Sequence, residues 1–191
     1  MLGSFSPTDH QAQIYLRGFA GTRPKVPFTA QEMEALAHKC MSAEAFAYIA
    51  GGAGLESSVA SNRSDFEKYK IIPRMLRDTS NRSTEIELFG QPLPSPLLLS
   101  PVGVLEMVHP DADIAVARTS AALGVPYIFS NQASRPMEEA SAAMGSSPRW
   151  FQLYWSKSNE LVASFVQRAE KCEVLVPRRI PLELIRNLPH G

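Results

Sequence analysis

Beyond Pro96 the chain alternates short apolar runs with segments of helical periodicity, and no other feature restricts its fold as strongly. The runs cover residues 97–100, 127–130, 150–154 and 173–176. Between them the pattern predicts a helix from Pro110 through Leu123 with Gly124 as its stop, and a second over 136–144. A third covers 159–171, with Val162, Phe165, Val166 and Ala169 on one face. A β-α-β-α-β-α-β order implies a parallel α/β sheet with right-handed crossovers, either doubly wound or part of a (β/α) barrel. Both architectures place ligands at the carboxyl ends of the strands.

The preceding residues read differently. Thr29 to Glu32 spells the T-x-x-E capping box, and Met33, Leu36, Ala37, Cys40 and Met41 follow on one helical face. Ser42 caps a second helix through Ala50, and Gly51-Gly52-Ala53-Gly54 ends it by a left-handed stop. A further helical stretch covers about 56–66. Residues 84–90 alternate charged and apolar side chains as a half-exposed strand does, ahead of a proline-rich turn. The expected division is therefore a helical segment with a short strand region over 1–95, serving as a lid or plug, a β/α region over 96–176, and a divergent tail over 177–191.

Composition excludes several functions. Nineteen Lys+Arg balance nineteen Asp+Glu in 191 residues, so no electrostatic footprint for nucleic acid or an anionic membrane is expected. Two cysteines, Cys40 and Cys172, stand far apart inside helical patterns. They give no metal spacing and are expected to be small core residues in a reducing compartment. No secretory leader, bilayer-length apolar run or terminal Ser-Lys-Leu address is read from the sequence, so a cytoplasmic location is the expectation.

At the expected strand ends lie Ser100-Pro101-Val102-Gly103, Ser130-Asn131-Gln132, and Gln152 with Tyr154. In the run Trp150-Phe151-Gln152-Leu153-Tyr154-Trp155, the period of two sends Gln152 and Tyr154 to one face. Phe151, Leu153 and Trp155 go to the other. A glycine-bearing loop with neutral hydroxyl and amide groups suits a flat, uncharged heteroaromatic ligand such as a flavin ring. The same residues are equally a turn cap at Ser130 and a satisfied core amide at Gln152. His109, in His109-Pro110-Asp111, reads as a helix-entry residue before a catalytic one. The Gly51–Gly54 cluster follows a helix instead of a strand, so it fails the context of a phosphate-binding fingerprint. Arg178 and Arg179 could hold an anion or form a solvated basic tail.

Taken together, several motifs resemble the FMN-dependent 2-hydroxy-acid oxidases and dehydrogenases, which include glycolate oxidase and lactate oxidase. The nearest likeness is to the lactate 2-monooxygenase branch. They are Glu44-Ala45-Phe46-Ala47-Tyr48-Ile49-Ala50-Gly51-Gly52-Ala53-Gly54, Asn62 before Phe66, Ile72-Pro73-Arg74-Met75-Leu76-Arg77-Asp78, Ser100-Pro101-Val102-Gly103, His109-Pro110-Asp111 and Arg149-Trp150-Phe151-Gln152-Leu153-Tyr154-Trp155. The likeness extends from about Gln11 to Cys172.

The resemblance implies a (β/α)8 TIM barrel, with this chain covering the N-terminal helical segment and about the first four β/α units. It implies FMN as cofactor, a small L-2-hydroxy acid such as lactate as substrate, oxygen as electron acceptor in the oxidases, and homo-oligomeric assembly. By motif match, Pro101, Val102 and Gly103 meet the flavin ring and Ser130 and Gln152 hydrogen-bond it. Tyr48 and Tyr154 contact the substrate, Tyr154 also assisting its oxidation. Gln132 departs from the aromatic residue common in glycolate-oxidising relatives. Residues 177–191 match none of the later family segments, which carry a flavin-facing lysine, a histidine base and an arginine. Two expectations follow: a hydroxy-acid oxidoreductase represented by its N-terminal half and nearly inactive alone, or an inactive truncated product acting at most as an assembly partner. An unrelated barrel enzyme with a phosphorylated substrate is the remaining alternative.

Overall fold

The computed structural model describes residues 7–174 of the 191. The chain divides into two compact units, Met1–Lys70 and Ile71–Gly191.

The first unit is helical: α1 (Pro7–Phe19), α2 (Ala30–Cys40), α3 (Ala43–Ala50) and α4 (Ser57–Ser64), the last running into a 3-10 turn at Asp65–Lys68. Both expected caps form. Thr29 Oγ1 accepts from the Glu32 amide at 3.2 Å and donates to its carboxylate at 2.9 Å, and Ser42 Oγ accepts from the Ala45 amide at 3.2 Å. Each satisfies an amide that the first helical turn would otherwise leave unpaired. Two expectations fail here. Gly51 caps α3 in an extended conformation (φ −73°, ψ 149°), and the left-handed residue is Gly54 (φ +61°), so the stop is not the left-handed one expected. Cys40 is exposed and α2 buries no residue. Its apolar stripe meets α3 only at a short corner, where the His38 ring lies edge-on to Phe46 at 4.4 Å, leaving Met33 and Leu36 each 43% exposed.

The second unit opens with a hairpin of β1 (Ile86–Leu88) and β2 (Gln91–Leu93). The strand expected over 84–90 is shorter because Phe89 (φ 54°) and Gly90 (φ 76°) form the turn, both in the left-handed region that tight two-residue hairpins require. Next come α5 (Ala112–Leu123), β3 (Tyr127–Ser130), α6 (Met137–Met144), β4 (Arg149–Gln152) and α7 (Asn159–Lys171). β3 and β4 pair in parallel, Tyr127 against Arg149 through Ser130 against Gln152. The run 97–100 contributes a single parallel bridge, Leu99 to Tyr127. Leu99 donates to the Pro126 carbonyl (2.9 Å) and accepts from the Ile128 amide (3.1 Å), while prolines 94, 96 and 101 supply no ladder donor around it.

Other boundaries also shift. α5 begins at Ala112 instead of Pro110, after the His109 imidazole Nδ1 has accepted the Asp111 amide at 3.1 Å. Gly124 ends α5 at φ +66°, as expected. β4 stops at Gln152, so Tyr154 and Trp155 lie in the connection beyond it, 59% and 49% exposed, and Trp155 does not anchor the strand as its alternation suggested. Of the run 173–176, Glu173 is a turn residue and Val174 buried coil; the remainder lies outside the described residues, as do Arg178 and Arg179.

The core forms between the strand pair and its helices. Tyr127, Phe129 and Phe151 from the strands pack with Ala117, Met137, Ala140, Met144 and Ala169 from α5, α6 and α7. Val162, Val166 and Ala169 repeat at helical spacing and form the buried face of α7, as their pattern requires. The Phe89 ring of the hairpin lies edge-on to Trp150 at 5.6 Å. At the opposite end of β4, Arg149 is only 6% exposed. Its guanidinium donates to the carbonyls of Cys172 (2.9 Å), Ser147 (3.3 Å) and Gly145, tying the strand start to the ends of α6 and α7.

Candidate functional site

The carboxyl ends of β3 and β4 bring two predicted residues together. Because Ser130 and Gln152 are register partners in a parallel pair, their side chains emerge side by side, and the Ser130 hydroxyl donates to Gln152 Oε1 at 3.1 Å. Ser130 Oγ also accepts the Gln132 amide at 3.1 Å. The hydroxyl is thus engaged on both sides, and Ser130 is 5% exposed. Its effect is to orient Gln152, whose carbonyl is occupied and whose amide hydrogens remain as donors at a half-buried position.

Two loops sit above this pair, and hydrogen bonds join them. Val104 donates its amide to the Gln132 carbonyl (3.0 Å), Glu106 donates its amide to Ser134 Oγ (3.0 Å), and Arg135 pairs with the Glu106 carboxylate (3.0 Å). Pro101, Val102 and Gly103 lead into this seam, each half-buried. A Cβ at Gly103 would come within 3.1 Å of the Gln132 Cβ, closer than nearly all real contacts, so glycine lets the two loops meet. The structure therefore gathers Gly103, Gln132, Ser130 and Gln152 into one contiguous set. Tyr154 stands apart in the connection after β4. Tyr48 lies on α3 in the other unit, 60% exposed.

One residue escaped the sequence reading. Asp113, 1% exposed on α5, accepts the Tyr127 hydroxyl at 3.0 Å and the backbone amides of Ser134 (2.9 Å) and Arg135 (3.0 Å). Burial, and then the facing Asp113 carboxylate, push the Tyr127 hydroxyl well above the ordinary phenol range. A signal was present: Asp113 shares the buried face of α5 with Ala117 and Ser120, and a carboxylate in that stripe must have partners. Asn131 Oδ1 is a buried acceptor with no partner among the described residues, and it directly follows Ser130.

This lining fits a flat neutral heteroaromatic. It offers amide donors at Gln152, a close-approach loop at 101–103, and a central pair, Ser130 and Gln152, that carries no formal charge. A parallel β/α unit with polar groups at its strand ends is common to barrel and doubly wound α/β scaffolds, and both bind ligands at that end.

Comparison with known proteins names the family. The sequence model described as FMN-dependent dehydrogenase matches residues 37–176. Among similar proteins, the L-lactate oxidase of Lysinibacillus sphaericus (strain C3-41) is 42% identical over 144 residues, 75% of this chain and 37% of that protein. The 4-hydroxymandelate oxidase of Amycolatopsis orientalis is 40% identical over 147 residues, 76% of this chain and 41% of that protein. A solved mandelate oxidase variant with a C4a-OH-FMN adduct superposes with a TM-score of 0.70 at 36% identity, covering 75% of this chain and 43% of that one. The chain belongs to the FMN-dependent dehydrogenase family, and its fold class is that family's TIM barrel. It spans about two fifths of the length of the curated relatives it matches.

Proposed function

We propose that this chain supplies the flavin-ring side, the N-terminal half barrel, of an FMN-dependent oxidoreductase acting on a small L-2-hydroxy acid such as lactate, with oxygen as acceptor. The chemistry supplied by bound FMN would be that of a two-electron acceptor for oxidation at the substrate's α-carbon. The single observation that carries the reading is the Ser130–Gln152 pair at the ends of adjacent parallel strands, beneath the loop at Gly103. In it, the backbone of Pro101, Val102 and Gly103 would meet the flavin ring, and Ser130 and Gln152 would hydrogen-bond the flavin, Ser130 also orienting the Gln152 amide. Tyr154, exposed in the connection after β4, would offer its phenol hydroxyl to the substrate, and the substrate role of Tyr48, exposed on α3, rests on the motif match alone. A reducing, cytoplasmic compartment belongs to the same reading and is supported by two unpaired cysteines, Cys40 lying exposed. Among the described residues no helix is long and apolar enough to cross a membrane.

The test is a chimera in which residue 176 is followed by the remaining part of a relative such as the L. sphaericus L-lactate oxidase. It should bind FMN, and its flavin should bleach anaerobically on addition of L-lactate or another 2-hydroxy acid. No bleaching by any 2-hydroxy acid would contradict the reading. A second reading, an inactive assembly partner, is favoured by the thinness of the described sheet, two strands and one bridge. Turnover of lactate by the purified chain with FMN would refute that second reading.

A further inference from the structure

We propose that Asp113 is a positioning residue for the flavin site: through one carboxylate oxygen it holds the 131–135 loop in the conformation that closes over Ser130 and Gln152. The inference rests on the flavin reading above.

The geometry separates the two oxygens of the carboxylate. Oδ1 accepts the Tyr127 hydroxyl at the start of β3, whereas Oδ2 accepts two successive loop amides, Ser134 at 2.9 Å and Arg135 at 3.0 Å. A buried carboxylate must be compensated, and these three donors do so, with no ion pair to it among the described residues. From the pinned end the loop runs back through Ser134, whose Oγ takes the Glu106 amide, to Gln132, whose carbonyl takes the Val104 amide. Gln132 in turn abuts Gly103 and donates its amide to Ser130. Asp113 touches none of the proposed flavin contacts; the 132–135 backbone, with these hydrogen bonds and the close approach at Gly103, connects it to Ser130 and Gln152. Arg135 is fixed by the same arrangement, its guanidinium reaching the Glu106 carboxylate (3.0 Å) and the Pro110 carbonyl (2.9 Å).

Three variants of the full chain, titrated with FMN and followed by amide hydrogen exchange, separate this role from general stability. Asp113→Ala should accelerate exchange at Ser134 and Arg135 and weaken FMN binding about tenfold or more. Asp113→Asn keeps an acceptor for the loop amides and should restore affinity to within about threefold. Tyr127→Phe removes only the hydroxyl bonded to Oδ1; it should lower global stability while leaving FMN affinity and the shift of the flavin visible band unchanged. Equal loss of affinity in Tyr127→Phe and Asp113→Ala would overturn the proposal, as would unchanged affinity in a folded Asp113→Ala. If Asp113→Ala does not fold, exchange in the unaltered chain decides: slow amides at Ser134 and Arg135 support the proposal, and amides exchanging at the unprotected rate overturn it. Failure of the unaltered chain to bind FMN would sink the flavin reading, and the exchange results would then judge the loop-holding role by themselves.

Discussion

Tyr127 is where residue chemistry is most exposed to test. Its hydroxyl is buried against the Asp113 carboxylate, and both features favour the neutral phenol, so its folded pKa lies above the ordinary value of about 10. For a raised pKa the folded state holds the proton longer than the unfolded chain. The stabilisation is therefore complete below pH of about 10 and is lost as pH rises beyond it. Urea midpoints measured at increasing alkaline pH should fall for the unaltered chain and fall less for Tyr127→Phe. Arg149 makes the complementary case. Its buried guanidinium serves three backbone carbonyls, so Arg149→Met should cost about 1.5–3 kcal/mol per charged hydrogen bond not replaced, read as a lower urea midpoint. The two cysteines should differ in thiol labelling. Cys40 is exposed, whereas burial pushes the Cys172 thiol up, so a thiol reagent at neutral pH should modify Cys40 first.

At the scale of elements, the stabilising contacts lie between β3, β4 and the faces of α5, α6 and α7. Phe129, 2% exposed, meets Tyr127 edge-on at 4.9 Å in this layer. Phe129→Ala should cost roughly 3–5 kcal/mol, measured by denaturant titration, because neighbours close such a cavity only in part. The pair between Glu138 on α6 and Arg168 on α7 is bidentate (2.7 and 2.8 Å), yet both side chains are about half exposed. Its removal by Glu138→Ala should change stability by less than about 1 kcal/mol. How legible these elements were follows from their packing. The α7 stripe of Val162, Val166 and Ala169, the Ser42 and Thr29 caps and the Gly124 stop were readable because each is local. The run at Leu99 was legible only as apolar; that it makes one parallel bridge among the described residues needed its pairing with Tyr127. The α2 stripe read as a core face and is exposed, because periodicity reports that a face is apolar and not that anything covers it. Ser130 and Gln152 were legible as polar groups at strand ends, but their mutual bond needed the register of β3 against β4. Asp113 needed the loop, which sequence spacing cannot place.

For the molecule as a whole, apolar surface is the notable feature. Leu97 is 63% and Leu98 36% exposed next to the single bridge at Leu99. Nearby, a cavity of about 410 Å³ lined by Leu99, Leu105, Val108 and Val116 borders α5. Open strand edges and apolar patches of this kind recruit other chains. The chain should accordingly bind an apolar dye such as ANS and increase in apparent mass with concentration in sedimentation; dye-silent behaviour at constant mass would contradict this. In the proposed reading, the ends of β3 and β4, with the 101–104 loop, form the face that meets a flavin ring. The most direct measurement is amide chemical-shift mapping of the labelled full chain as FMN is added. Saturable shifts centred on Val102, Gly103, Val104, Asn131, Gln132 and the Gln152 side-chain amide are expected. Saturable shifts centred elsewhere, or none in a folded chain, would contradict the reading.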